Sequence, residues 1–137
     1  MEIDMKRVLV LAVIALGATG LFADNHEEFE KSMKAAGATF GPLNKSIAAG
    51  AFDDVAAGAK KMEAVFATSE KFWTERGTAD AIQWSKDGGA AAKALSAAAA
   101  AKDADAAKAA FGKAAATCKG CHAAHREKLE DGTYKIK

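Results

Sequence analysis

The stretch Phe29–Ile47, FEKSMKAAGATFGPLNKSI, spaces its apolar residues alternately by four and three positions. These residues are Phe29, Met33, Ala36, Phe40, Leu43 and Ile47. Such spacing is the heptad-like seam of a helix that packs against other helices. The pattern predicts a helix that begins near Asn25 and ends at Gly50. Because Pro42 removes a backbone hydrogen bond from the helix interior, we expect a kink or local break near Gly41.

Three further segments carry one apolar stripe each, and they predict helices over residues 52–73, 79–101 and 104–130. The chain contains a single proline and abundant alanine, a composition that favours helix. No segment from residue 24 onward alternates apolar and polar residues as a strand does. Four amphipathic helices with short connections pack as an antiparallel up-down-up-down four-helix bundle, so the predicted fold class is all-α.

Gly88 and Gly89 lie inside the predicted third helix, where each costs roughly 1 kcal/mol relative to alanine. Two interpretations stay open: the helix is weak or interrupted there, or a bulky group packs against that face. The bundle also has few large apolar side chains and therefore a thin core. A large buried cofactor would supply the missing apolar volume.

Residues 1–23 have the features of a secretory signal peptide. Lys6 and Arg7 precede the apolar run VLVLAVIALGA at 8–18, and Ala23 is a small residue suited to cleavage. The apolar run is shorter than the ~20 residues that span a bilayer. We therefore expect a leader rather than an uncleaved anchor, a mature domain of residues 24–137 without a membrane span, and a periplasmic location.

The stretch 117–126, TCKGCHAAHR, contains both cysteines and two of the three histidines. Structural zinc needs four ligands, and the chain offers no second paired half-site. A thioredoxin-like redox pair follows a strand, and a disulfide leaves His122 unexplained. The remaining interpretation is C-x-x-C-H, the attachment signal of c-type haem. Cys118 and Cys121 are about one helical turn apart, so both thiols can reach one porphyrin, and His122 can ligate the iron.

These features resemble the class II c-type cytochromes, the four-helix-bundle family that contains cytochrome c′ and cytochrome c556. The resemblance covers the whole mature chain. It rests on CKGCH followed by Arg126, on Met33 followed by GATFGPL, and on Phe72–Trp73 after the second helix. Two positions depart from the family pattern, because Phe29 stands where an arginine is frequent and His125 where an aromatic residue is usual.

The resemblance implies one covalent haem c with thioether links to Cys118 and Cys121. It implies His122 as the proximal iron ligand and Arg126 close to the haem. It also implies that the chain can form a homodimer.

The sixth iron ligand decides the predicted function. Met33 is the candidate, because it lies on the inward seam of the first helix and a thioether is a soft ligand that raises the reduction potential. Met62 is a weaker alternative, and His26 is expected at the surface. With Met33 bound, the protein would carry single electrons between partners of the cell envelope, as cytochrome c556 does. With Met33 only crowding the iron, it would be five-coordinate, as in cytochrome c′, and would bind nitric oxide or carbon monoxide.

Charge and motif content exclude other classes of function. The formal net charge is +1, from 19 Lys and Arg against 18 Asp and Glu, so no attraction to nucleic acid is expected. The chain has no catalytic triad, no glycine-rich phosphate loop and no inward pair of carboxylates. We therefore expect a haem carrier rather than an enzyme. A haem-free bundle that binds a metal or a partner is a further alternative.

Overall fold

The computed structural model describes residues 5–137, with side chains from Asn25 onward. It confirms the predicted all-α bundle and adds a short hairpin at the carboxyl end. The elements are α1 (Met5–Ala49), α2 (Phe52–Arg76), α3 (Ala79–Ala100), α4 (Ala104–His125), β1 (Arg126–Lys128) and β2 (Tyr134–Ile136). Consecutive helices pack against each other, and α4 returns to lie beside α1.

The predicted leader, residues 1–23, lies outside the residues whose side chains are described, so its role stays a prediction. Within the described part of the chain, no helix combines the length and the apolar character needed to cross a membrane.

Local signals end the helices and begin new ones. Gly50 and Gly77 adopt a φ of 67°, a left-handed conformation that glycine tolerates without steric cost, and each lies just after a helix. The Asp103 carboxylate accepts a hydrogen bond of 3.0 Å from the Ala106 amide and so caps α4. These turns fold the bundle with connections of only a few residues.

The first helix is longer and more continuous than the sequence predicts. It begins at Met5 rather than near Asn25, and it runs through Pro42 without a break. Leu43 and Ile47, each 3% exposed, follow Pro42 and pack into the core. Because this tertiary packing holds the last turns of α1, the helix tolerates the hydrogen bond that proline removes.

The fourth helix is shorter than predicted. It ends at His125 rather than at Glu130, and Arg126 enters β1 with an extended backbone (φ −122°, ψ 128°). The final residues form β2, which pairs with β1 in an antiparallel register, Arg126 opposite Ile136. Ile136 packs against buried residues, and this contact holds the hairpin against the bundle.

The two apolar clusters of the core explain the glycine pair in α3. The larger cluster contains Phe66, Met62 and Leu95, and the smaller one contains Phe29, Phe72, Trp73 and Ala81. The Phe66 ring lies directly against Gly88, where any Cβ atom would overlap it. The bulky group that packs against the glycine pair is therefore the Phe66 side chain of α2. The third helix continues through both glycines.

Candidate cofactor site

A large cavity lies between α1 and α4, the neighbouring helices that touch each other least. Its volume is about 1190 Å³ and its lining is mainly apolar. Met33, Ala36 and Phe40 on the seam of α1 are only partly buried and line this cavity. At one end, the rings of Phe40 and Phe111 meet at 4.9 Å and close the gap between the two helices.

The cysteine pair of α4 lines the cavity. Cys118 and Cys121 are free thiols, both partly buried. Burial raises the pKa of Cys118, while burial with the charges of Asp80 and Cys118 raises the pKa of Cys121 to about 11. Both thiols are therefore neutral at neutral pH, unlike the thiolate of low pKa that a redox pair uses. Within the residues that the structure describes, no three His, Cys, Asp or Glu side chains form a metal-ligand cluster.

His122 follows the pair and also lines the cavity. Burial, and secondarily the positive charge of Arg126, lowers the pKa of His122 below its usual value. The imidazole is therefore neutral at neutral pH, and one ring nitrogen keeps a lone pair for a metal ion. The helix thus brings two neutral thiols and one neutral imidazole to a single wall.

Met33 belongs to the opposite wall, on α1. Its side chain packs against the small cluster of Phe29, Phe72, Trp73 and Ala81. The other candidate, Met62, is 1% exposed within the larger cluster and does not line the cavity. Of the two methionines weighed from the sequence, only Met33 can face a cofactor.

The remaining histidines and Arg126 lie around the cavity. His26 is partly exposed at its edge and lies 3.3 Å from the Glu30 carboxylate, as expected for a surface histidine. The Arg126 guanidinium lines the cavity and stacks 4.1 Å above the Tyr134 ring. Arg126 thus places a positive charge beside the cysteine pair.

Two further observations test whether the cavity suits a bulky planar cofactor. Trp73 lines it, and its indole nitrogen is buried without a hydrogen-bond partner, an arrangement that costs free energy unless a ligand satisfies it. Trp84 packs against Gly120, between the two cysteines, where a Cβ atom would come within 3.1 Å of the indole. The apolar lining, the free thiols and the neutral imidazole fit a covalently attached haem.

Sequence reasoning missed the contribution of the hairpin to this site. Thr133, Tyr134, Lys135 and Ile136 line the cavity together with the cysteine pair. The dipeptide Asp131-Gly132 was the available signal, because aspartate followed by glycine is frequent in tight turns. In the structure Gly132 has a φ of 84°, and the Asp131 carboxylate accepts hydrogen bonds from Thr133.

Comparisons with known proteins are consistent with this site. Residues 20–126 match the sequence family described as Cytochrome C′. Cytochrome c′ from Thermochromatium tepidum has a TM-score of 0.60 and 25% identity, covering 71% of this chain and 90% of that chain. A ferrous variant of cytochrome c prime from Alcaligenes xylosoxidans with bound NO has a TM-score of 0.58 and 24% identity, with coverages of 85% and 96%.

A third solved structure is a cytochrome c′ with ligand-controlled dimer dissociation. Its TM-score is 0.60 at 20% identity, with 83% of this chain and 95% of that chain covered. No curated protein sequence is significantly similar to the chain.

Proposed function

The chain belongs to the cytochrome c′ family, which binds haem c covalently, and from that premise we propose that it binds nitric oxide or carbon monoxide at a five-coordinate haem iron. Cys118 and Cys121 hold the haem by thioether links, and His122 is the proximal ligand. Arg126 contributes positive charge beside the haem. When bound, the haem supplies a ferrous iron that takes up a diatomic gas; the chain supplies the apolar pocket and the proximal imidazole.

The packing of Met33 is the observation that carries this proposal. Its side chain contacts the cluster of Phe29, Phe72 and Trp73, so it serves as part of an apolar wall. Methionine fills irregular gaps in such clusters without any metal. An apolar wall that supplies no ligand would leave room beside a bound haem for a small neutral molecule. A structural neighbour holds NO, the same class of ligand.

Electron transfer through a His/Met-ligated haem is the second candidate function. It is favoured by one observation, because Met33 lines the same cavity as His122. In that case the partners would be redox proteins of the cell envelope. The Met33 thioether would then be the second protein ligand of the iron, with His122.

The cellular setting follows from the family as well. Cytochrome c′ proteins are typically periplasmic, so we assign residues 1–23 as an export leader and residues 24–137 as the mature domain. One structural neighbour is a dimer whose dissociation is controlled by ligand. We propose that this chain also forms a homodimer. The molecular mass of the haem-loaded protein in solution would test this.

Carbon monoxide binding to the ferrous protein tests the proposed function. We expect a stoichiometric change in the haem absorption spectrum, because the sixth position needs no displacement of a protein ligand. Met33→Ala should change the affinity by no more than about tenfold, since it only enlarges the wall. A wild-type protein that takes up no carbon monoxide, while Met33→Ala binds it readily, would instead support the electron carrier.

A further inference from the structure

The match to the family ends at Arg126, the first residue of the carboxyl-terminal hairpin. Residues 127–137 therefore lie beyond the matched range. Yet Thr133, Tyr134, Lys135 and Ile136 form part of the cavity wall. The hairpin thus contributes to the cofactor site although most of it lies outside the matched range.

His125 fastens the hairpin to the bundle through both ring nitrogens. Its Nε2 atom lies 3.0 Å from the Asp80 carboxylate at the start of α3. Its Nδ1 atom lies 3.2 Å from the carbonyl oxygen of Lys137, and the Lys137 amide donates a 3.0 Å hydrogen bond to the His125 carbonyl. The hydrogen bond from His125 also lowers the pKa of Asp80, which keeps this carboxylate ionised.

Apolar contacts complete the attachment. Ile136 packs against the cluster formed by Phe29, Phe72, Trp73 and Ala81, which belong to α1, α2 and α3. Residues of the hairpin, of α1 and of α4 line the same cavity. The His125 ring lies 4.9 Å from Trp73 and 6.1 Å from Trp84, centroid to centroid. These contacts lie at one end of the face of α4 that lines the cavity, and the contact between Phe40 and Phe111 lies at the other end.

We propose that the hairpin is a strap that closes the gap between α1 and α4 over the cofactor cavity, and that His125 and Ile136 hold it closed. The strap limits the entry of water and of ligands larger than a diatomic molecule. The two residues are positioning residues, because they act through the strap. The part of this inference that concerns ligands rests on the proposed function.

Hydrogen exchange in the full-length, haem-loaded protein tests the strap. His125→Phe keeps an aromatic ring against Trp73 but removes both polar contacts of the imidazole, and Ile136→Ala removes the apolar anchor. Both variants should speed exchange of the Lys137 amide and of the Trp73 indole N–H by about tenfold. Lys128→Ala, an exposed position on the same hairpin, is the control and should change neither rate more than about twofold.

Ligand size provides the second measurement. In His125→Phe and Ile136→Ala, the association rate of n-butyl isocyanide should rise by about tenfold more than that of carbon monoxide. Unchanged exchange of the Trp73 indole, or an unchanged ratio of the two ligand rates, would overturn the strap. If the strap variants speed indole exchange but the wild-type protein binds no carbon monoxide, the proposed function fails while the strap stands. Circular dichroism and haem content verify that each variant is folded.

Discussion

Replacing Cys118 and Cys121 together by alanine should abolish covalent haem attachment. The two side chains are the only cysteines in the chain, and each thioether link needs one thiol. Either single variant should keep one link. The measurement is the mass of the purified chain, together with haem extraction into acidified acetone, which removes only haem that is not covalently bound.

Lys119→Ala is the matched control for the cysteine variants. Lys119 lies between the two cysteines, and its side chain is exposed, so its loss should leave the covalent haem content unchanged. Retention of covalent haem by the double cysteine variant would show that these two residues do not tether it. Equal loss in Lys119→Ala would show that the variants act through misfolding.

Gly88→Ala should destabilise the bundle by about 1–3 kcal/mol, the usual cost of an overpacked core. The added methyl group would overlap the ring of Phe66, which is 6% exposed and cannot move toward solvent without leaving the core. This cost exceeds the gain in helix propensity of about 1 kcal/mol. Urea unfolding of the haem-loaded protein should show a lower midpoint with an unchanged slope.

Gly89→Ala separates steric overlap from helix propensity. A Cβ atom at Gly89 would lie 3.7 Å from the Phe66 Cβ, an ordinary van der Waals distance. The variant should therefore gain stability, by up to about 1 kcal/mol, because alanine favours the helix. Equal effects of the two substitutions on the free energy of unfolding would contradict the assigned role of Phe66.

The helical part of the fold could be predicted from the sequence because each helix carries a clear seam and local end signals. The start of α2 at Phe52 and the start of α4 at Ala104 are both confirmed. The predicted first helix is too short, and the break predicted near Gly41 is absent. Pro42 has a local cost, but the buried residues after it keep the helix intact, and local rules do not include that packing.

The hairpin could not be predicted from periodicity, because its strands are only three residues long and mostly exposed. Its stability comes from distant contacts, such as Ile136 with the Phe29 cluster and His125 with Asp80. From the sequence, His125 was singled out only as a histidine at a position where the family usually has an aromatic residue. Its partners are 45 and 12 positions away along the chain, so no local pattern indicates them.

The sequence indicates which residues lie together at the site better than it indicates what each of them does. All five candidate residues line one cavity: Met33, Cys118, Cys121, His122 and Arg126. Their individual roles stay proposals. The seam pattern places Met33 on the inward side of α1, but only the packed structure places its side chain against Phe29 and Trp73.

The spin state of the ferric protein, recorded by electron paramagnetic resonance without added ligand, tests the central claim most directly. If the sixth position is open, the wild-type protein should give a high-spin signal. The Met33→Ala variant should give a high-spin signal as well, because Met33 does not bind the iron. A low-spin signal in the wild-type protein that becomes high-spin in Met33→Ala would contradict the account. That result would identify the Met33 thioether as the sixth ligand and the protein as an electron carrier.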